Sequence, residues 1–317
     1  MMNKIPEPIL LRSATELRQE GELPLSPFAH SRGYTPRDVS IYVRKSNRNS
    51  TSLLNTAGII SFDDTKNRIL DDLELHLSVT LGRHLALTGF QACDLLKAKH
   101  RVEIGYKRVF DCLDLLTGLG KVRQTFLEEA NGKKIKVYRL SEEGAADLRS
   151  KGYSLEKVGY SLRLEVPELL RILSVNQMLS RYGITDNLKL AEAIYSPGTT
   201  EFSIRPQATL QLEKTYLIES VRSSADWEVK LAAKLKRYEH ILSKGRALNV
   251  RLYDPTLMLI GESVDHCRSI MDIAKDMTIA TVYSSDDLLY TTPSAAFYSL
   301  QKRITLRSAL REFFQVR

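Results

Sequence analysis

The feature that most constrains the fold of this chain is the pair Asn131-Gly132, which lies between two runs of alternating apolar and polar residues. Asn-Gly readily adopts the positive φ angles of a type I′ turn, which joins two antiparallel strands with the correct twist. The pattern therefore predicts a two-stranded β-hairpin over residues 121–140.

Segments with helical periodicity surround this hairpin. The first has leucines and an isoleucine at three- and four-residue spacing, which predicts an amphipathic helix. Thr88 is expected to cap the second, and Ser141 the fourth, because a hydroxyl oxygen can accept a bond from a free amide of the first turn. In chain order the predicted helices cover residues 69–87, 88–98, 103–120 and 141–152.

Three helices, a hairpin and a closing helix in this order resemble a winged helix-turn-helix. The resemblance covers residues 69–150 and includes the stretches "LLTGLGKV" and "VYRLSEEGAADL". It implies an α+β N-terminal domain, residues 67–152, that binds double-stranded DNA. The third helix would then lie in the major groove, where outward side chains can read base edges.

Charge supports the same interpretation. The chain carries a net charge of +8 at pH 7, which favours a polyanionic partner. Cations are expected on both the third helix and the hairpin, as phosphate contact requires. The candidate DNA-binding residues are Lys99, Arg101, Tyr106, Lys107, Arg108, Arg123, Lys133, Lys134 and Lys136. A protein-binding role for the same module stays open, because Glu103 and Asp111 lie on the same helix.

The two ends of the chain are basic extensions. Residues 1–66 form a proline-rich, partly irregular arm, in which a short helix is predicted at Thr35 and Arg44 and Lys45 are candidate phosphate contacts. Residues 291–317 form a basic, amphipathic tail, of which residues 299–317 are predicted to be helical. No apolar run reaches the roughly 20 residues that span a bilayer, and no signal peptide is visible, so we expect a cytoplasmic protein that does not enter a membrane.

The second half, residues 153–290, changes to strands that alternate with helices, which predicts an α/β sheet covered by helices. Helices are predicted over 166–183 and 185–196 before the strands begin. A later helix, 225–242, has a core stripe that includes Trp227 and Tyr238. A second, basic stripe on the same helix is a candidate for further DNA contact and consists of Lys230, Lys234 and Arg237.

Within this half, the segments "IRPQATLQL", "YLIESVRSS" and "KLAAKLKRYEHIL" are similar to the replication-relaxation family of bacterial plasmids and mobile elements. The match continues through "LMLIGESVDHCRSIMDIA" and "TVYSSDDLL". The resemblance implies a restriction-endonuclease-like α/β domain with the core of PD-(D/E)XK nucleases. It also implies a role in replication or conjugative transfer of a mobile element, with a relaxase or replication protein as partner and a homodimer as one candidate assembly.

The catalytic positions of such a nuclease are incomplete in this sequence. By the resemblance, Gln207 replaces the first acid, Glu219 matches the second, and Val221 stands where a lysine is expected. A neutral amide is a poor Mg²⁺ ligand and valine donates no hydrogen bond. Glu192, on the predicted helix 185–196, is a candidate for an additional ligand, but we expect it to have a surface role instead. We therefore expect no enzyme activity, no metal and no other cofactor.

Three other functions stay open from the sequence: a winged-helix transcriptional regulator, an active metal-dependent nuclease, and a protein-interaction module. The first differs from an origin-binding protein only in where its sites lie. An active nuclease would require that its catalytic residues lie at positions other than Gln207, Glu219 and Val221.

Overall fold

The structure is a computed structural model of the 317-residue chain. It describes residues 39–43, 72–100, 104–129, 134–155, 164–181, 183–185, 188–196, 203–211, 214–242, 252–286, 289, 296–298 and 303–305. The fold is mixed α and β. Its described residues form two compact units, one within Arg37–Leu169 and Tyr182–Thr185, the other within Leu170–Arg181 and Asp186–Arg317.

The first unit contains the predicted succession of helices and hairpin strands. Its helices are α1 (Asp72–His84), α2 (Gly89–His100), α3 (Tyr106–Gly118) and α4 (Glu142–Ser150), and helix α5 (Val166–Arg181) begins in this unit. Its strands are β1 (Val39–Val43), β2 (Leu87–Thr88), β3 (Val122–Glu129) and β4 (Lys134–Leu140). The turn at Asn131-Gly132 lies outside the described residues.

Both predicted helix caps are confirmed. The Thr88 hydroxyl accepts a hydrogen bond from the Gln91 amide at 3.2 Å, and the Gln91 side-chain oxygen accepts one from the Thr88 amide at 3.1 Å. This reciprocal pair is a capping box, which satisfies two otherwise free donors at the start of α2. The Ser141 hydroxyl likewise accepts from the Gly144 amide at 2.9 Å and donates to the Gly120 carbonyl at 2.7 Å.

A four-stranded antiparallel sheet, in the order β1-β3-β4-β2, holds the hairpin against the helices. Strand β2, between α1 and α2, pairs with Val137 and Tyr138 of β4. Strand β1 pairs with β3 from Val39 opposite Glu129 to Val43 opposite Thr125. Strand β1 lies inside the N-terminal arm, which was predicted to be partly irregular. Its five residues are too few to show the alternation of apolar and polar residues that predicts a strand. The helix predicted at Thr35 lies outside the described residues.

The second unit is built on a seven-stranded sheet in the order β13-β12-β11-β10-β9-β8-β5, beside a short pair, β6-β7. Its strands are β5 (Leu188–Leu190), β6 (Ile194–Tyr195), β7 (Ser203–Ile204), β8 (Ala208–Gln211), β9 (Thr215–Ser220), β10 (Thr256–Gly261), β11 (Ala280–Ser285), β12 (Ala296–Tyr298) and β13 (Arg303–Thr305). Helix α6 (Trp227–Leu242) connects β9 to β10, and α7 (Val264–Ala274) connects β10 to β11.

Strands β9, β10 and β11 are parallel and form the centre of this sheet. Every residue of β9 and β10 is buried, as expected for parallel strands that are covered on both faces. The predicted apolar stripe of α6 packs into the core through Leu231, Leu235 and Tyr238, with Trp227 partly buried at its edge. The predicted alternation of strands and helices is therefore confirmed.

Two predictions of helix are wrong. The segment 185–196 contains the short strands β5 and β6, and Glu192 lies between them. Leu188–Leu190 pairs with Ala208–Leu210, and Ala191 has a φ angle of 51° that ends the extended run. Pairing with a neighbouring strand outweighs intrinsic helix propensity here. In the C-terminal tail, Arg303–Thr305 is a strand paired with Ala296–Tyr298, because a partner strand precedes it in the chain, and the rest of the helix predicted there lies outside the described residues.

None of the helices in the described part of the chain is long and apolar enough to cross a membrane. All three cysteines are free and buried, where they pack as small apolar side chains.

Candidate nucleic-acid interface

Helix α3 has a buried face and a cationic first turn. Val109 and Leu113 are fully buried, whereas Tyr106, Lys107 and Arg108 are exposed. The residue before the helix is Gly105, which has no side chain to cap the first-turn amides. The free amides at this end of the helix carry partial positive charge. Together with the charges of Lys107 and Arg108, they attract an anion.

An aromatic cluster adjoins this first turn. The Phe90 ring, on α2, meets the Tyr106 ring edge-on at 5.2 Å between centroids and the Phe110 ring at 5.3 Å. Phe90 is 52% exposed and Tyr106 is 40% exposed, although both are large and apolar. Phe110 lies half-buried beneath them. A Cβ added to Gly89 would fall 2.1 Å from Phe110, so glycine at this position allows the close packing.

Two charged side chains of α2 complete the rim of the aromatic cluster. The Lys97 ammonium lies 4.6 Å from the centre of the Tyr106 ring, within the range of a cation–π contact. The Tyr106 hydroxyl donates to the Asp94 carboxylate at 3.0 Å. These contacts hold the Tyr106 ring in place, and the residue stays 40% exposed. Lys99, in the last turn of the same helix, is exposed.

The hairpin contributes fewer described cations. Arg123 is exposed on β3 and lies opposite Arg139 of β4, whose pKa is lowered by burial and by the charge of Arg123. The Lys136 ammonium lies 3.5 Å from the Asp114 carboxylate of α3, so it also ties the hairpin to the helix. Arg101, Lys133, Arg44 and Lys45 lie outside the described residues, as does the side chain of Lys134.

Glu219 in the second unit is a buried carboxylate with two donors on helix α6. It accepts a hydrogen bond from the Tyr238 hydroxyl, and the Lys234 ammonium lies 2.6 Å from its Oε1 atom. Burial raises the pKa of Glu219, while the Lys234 charge and both hydrogen bonds oppose that change. Burial and the neighbouring carboxylate raise the pKa of Tyr238.

At the other two positions of the nuclease motif, Gln207 and Val221 make hydrogen bonds with backbone groups. The Gln207 side-chain oxygen accepts a hydrogen bond from the Ser220 amide at 3.0 Å, and the Val221 amide donates to the Ile260 carbonyl at 2.8 Å. The Gln207 oxygen therefore joins β9 to the segment before β8. Among the described residues, no three His, Cys, Asp or Glu side chains are grouped so that they could hold a metal ion.

The three candidate cations of α6 differ in their surroundings. Arg237 is exposed, and Lys230 is exposed with its ammonium donating to the Ala225 carbonyl at 2.9 Å. Lys234 is only 37% exposed and is bound to Glu219. Glu192, the additional candidate ligand, is half-buried, and its Oε1 atom lies 2.9 Å from the Lys189 ammonium.

A buried charged network at the carboxyl ends of β9, β10 and β11 escaped the sequence analysis. Arg222 donates to Asp286 at 2.5 Å and to the Leu170 carbonyl at 3.0 Å, and Asp286 accepts from the Ser174 hydroxyl. Glu262 accepts from the amide and hydroxyl of Ser223 at 3.1 and 2.7 Å. A charged residue directly after a buried parallel strand is the signal that predicts such a cluster. Its acids already have donors within the protein, so the network is suited to joining the strand ends.

Burial raises the pKa of Glu262 and of Asp286, and the Arg222 charge opposes both changes. A buried guanidinium between two carboxylates is stable only when its desolvation is offset by close pairing, as here. The network therefore fixes the segment after β9, which contains Val221, relative to the ends of β10 and β11.

Comparison of the chain with protein-family profiles, with curated proteins and with solved structures finds no match.

Proposed function

We propose that this protein binds double-stranded DNA through its first unit, which we interpret as a winged helix. The observation that carries the proposal is the first turn of α3. Lys107 and Arg108 project from it, beside a helix end that itself favours anions, while the opposite face of the helix is buried in the core. A single helix anchored in this way is narrow enough to enter the major groove.

The hairpin supports the proposal as the wing. Strand β2 ties the base of the hairpin to the helices, and the contact between Lys136 and Asp114 joins β4 to α3. A phosphate contact by Arg123 would therefore come from a rigid element at a fixed distance from the helix. Backbone contacts of this kind set the register of a protein on its duplex and carry no sequence information.

We further propose that the second unit is a nuclease-like domain without catalytic activity. The only acid at the three expected positions, Glu219, is buried and bound to Lys234 and Tyr238. The side-chain oxygen of Gln207 accepts a hydrogen bond from the Ser220 amide, and a neutral amide is a poor ligand for Mg²⁺. The role at an origin of replication or conjugative transfer is proposed from the sequence resemblance alone, and so is a relaxase or replication protein as partner. A cytoplasmic location is also a proposal.

Selection of duplexes from a random-sequence library, followed by binding measurements on the selected duplex, tests DNA binding. Lys107→Ala and Arg108→Ala are each expected to weaken binding by about 1–3 kcal/mol if they contact bases. Lys275→Ala is the matched control, because Lys275 is an exposed lysine of the second unit. Wild-type affinity should also fall as salt rises. Equal binding by all four proteins would contradict the assigned surface.

The inactive-nuclease proposal is tested with plasmid DNA and Mg²⁺ or Mn²⁺. No nicking above the buffer control is expected. Metal-dependent nicking that Glu219→Ala abolishes would establish the active nuclease instead. The genetic setting is tested by recovering bound fragments from the host: sites at an origin support the replication or transfer role, and sites at promoters support a transcriptional regulator.

A further inference from the structure

The aromatic cluster of Phe90, Tyr106 and Phe110 is a surface feature that the charge argument does not use. In the described part of the chain, four large apolar side chains are exposed, and two of them, Phe90 and Tyr106, are in contact with each other. Two touching exposed rings beside a cationic helix end form a continuous apolar surface, which suits a ligand with its own apolar group.

The cluster is rigid enough to recognise that group. Phe110 supports Phe90 from below, and the side chains of Asp94 and Lys97 hold the Tyr106 ring. A ring held in one orientation loses little conformational entropy on binding. Phe90 lacks the hydroxyl that Tyr106 carries, so its exposed face is suited only to apolar contact.

Position and charge select the part of the duplex that this face would meet. The cations Lys107 and Arg108 lie on the turn that follows Tyr106 in the chain and are suited to phosphates and guanine edges. The Asp94 carboxylate beside the rings repels phosphate, so the rings themselves are suited to base edges. On the major-groove edge of a base pair, the apolar group is the C5 methyl of thymine.

We infer that Phe90, supported by Phe110 and flanked by Tyr106, forms an apolar contact with a thymine methyl in the major groove. The inference rests on the proposed DNA-binding function and adds a sequence preference to it. Phe90 is then a specificity-determining residue contributed by the start of α2.

The test compares two versions of the duplex that wild-type protein selects from a random library, one with thymine and one with deoxyuridine at the same positions. Deoxyuridine pairs identically and lacks only the methyl. Removal of a contacted methyl should weaken wild-type binding roughly fourfold, the value expected for one buried carbon group. Phe90→Ala should bind the thymine duplex roughly fourfold more weakly and no longer distinguish the two duplexes.

Two controls separate this contact from an effect on folding. Phe90→Leu keeps an apolar side chain and should keep the preference for thymine. Val229→Ala removes a 70% exposed apolar side chain from the second unit and should bind both duplexes as wild type does. The thermal unfolding midpoint of each variant should stay close to that of wild type, because the side chains of Phe90 and Val229 are both more than half exposed.

The inference is overturned if wild type does not distinguish the duplexes, or if Phe90→Ala distinguishes them as well as wild type. In both cases DNA binding itself stands, because the wild type still binds a duplex. If wild type selects no duplex at all, the proposed function fails together with the inference.

Discussion

His266 is expected to make the stability of the second unit depend on pH. Its side chain is 7% exposed, and its Nδ1 atom accepts a hydrogen bond from the Glu262 amide at 3.2 Å. Burial, together with the charge of Arg222, lowers the pKa of His266 from 6.5 to about 4. The proton of the neutral ring is then on Nε2, which is buried without a hydrogen-bond partner among the described residues.

The sign and size of the effect follow from the difference between the folded and unfolded pKa. Between pH 6.5 and about 4 the unfolded chain binds a proton at this residue and the folded chain does not, so acid favours unfolding. This interval spans about 2.5 pH units, and each unit corresponds to about 1.36 kcal/mol. The histidine therefore lowers the free energy of unfolding by about 3 kcal/mol as the pH falls through this interval.

The assay is urea unfolding of wild type and His266→Asn at a series of pH values. Trp227 is the only tryptophan of the chain, and its ring meets the His266 ring edge-on at 4.4 Å, so its fluorescence reports on this unit. The side-chain oxygen of asparagine can still accept a hydrogen bond from the Glu262 amide, but asparagine does not titrate. The difference between the two proteins should change by about 3 kcal/mol from pH 7 to pH 4.

The comparison isolates the histidine because the nearby carboxylates titrate in both proteins. Glu262, whose Oε2 atom lies 3.8 Å from the His266 ring, and Asp286 have raised pKa values, so their protonation in acid acts in the opposite direction. Curves for wild type and His266→Asn that run parallel from pH 7 to pH 4 would refute the reasoning.

Three further changes have expected outcomes. Tyr238→Phe leaves the Glu219 carboxylate with one donor fewer and should cost about 1–3 kcal/mol of unfolding free energy at neutral pH, measured by urea unfolding. Gly144→Ala places a Cβ 2.2 Å from the Lys121 carbonyl and should cost about 1–3 kcal/mol, whereas Gly118→Ala meets nothing within 4 Å and should be neutral or stabilising; equal unfolding midpoints would contradict this. Arg123→Ala should lower the slope of log affinity against log salt by about one without changing the selected sequence, and an unchanged slope would remove Arg123 from the phosphate contacts.

Local chemistry in the sequence was sufficient to predict most elements of both units. Thr88 and Ser141 mark helix starts because a hydroxyl at the cap position satisfies free amides within the same few residues. The buried face of α3 and the core stripe of α6 follow from apolar spacing at the helical period. These features depend on residues close in the chain, so the sequence alone determines them.

The pairing of distant segments required the tertiary structure. Leu188–Leu190 is a strand because Ala208–Leu210 lies beside it, and Val39–Val43 is a strand because β3 offers a free edge. The residues of each short segment do not reveal which strand will pair with it, and their intrinsic preference for a strand is weak.

The environments of the site residues were likewise decided by the tertiary structure. The sequence predicts Lys234 on a basic stripe and a helix over residues 88–98, which contain Phe90. Folding brings Lys234 to the buried Glu219 and leaves Phe90 exposed against Tyr106. A residue's charge and size are fixed by its identity. Its partners, its burial and therefore its pKa depend on which distant elements pack around it, and those contacts exist only in the folded chain.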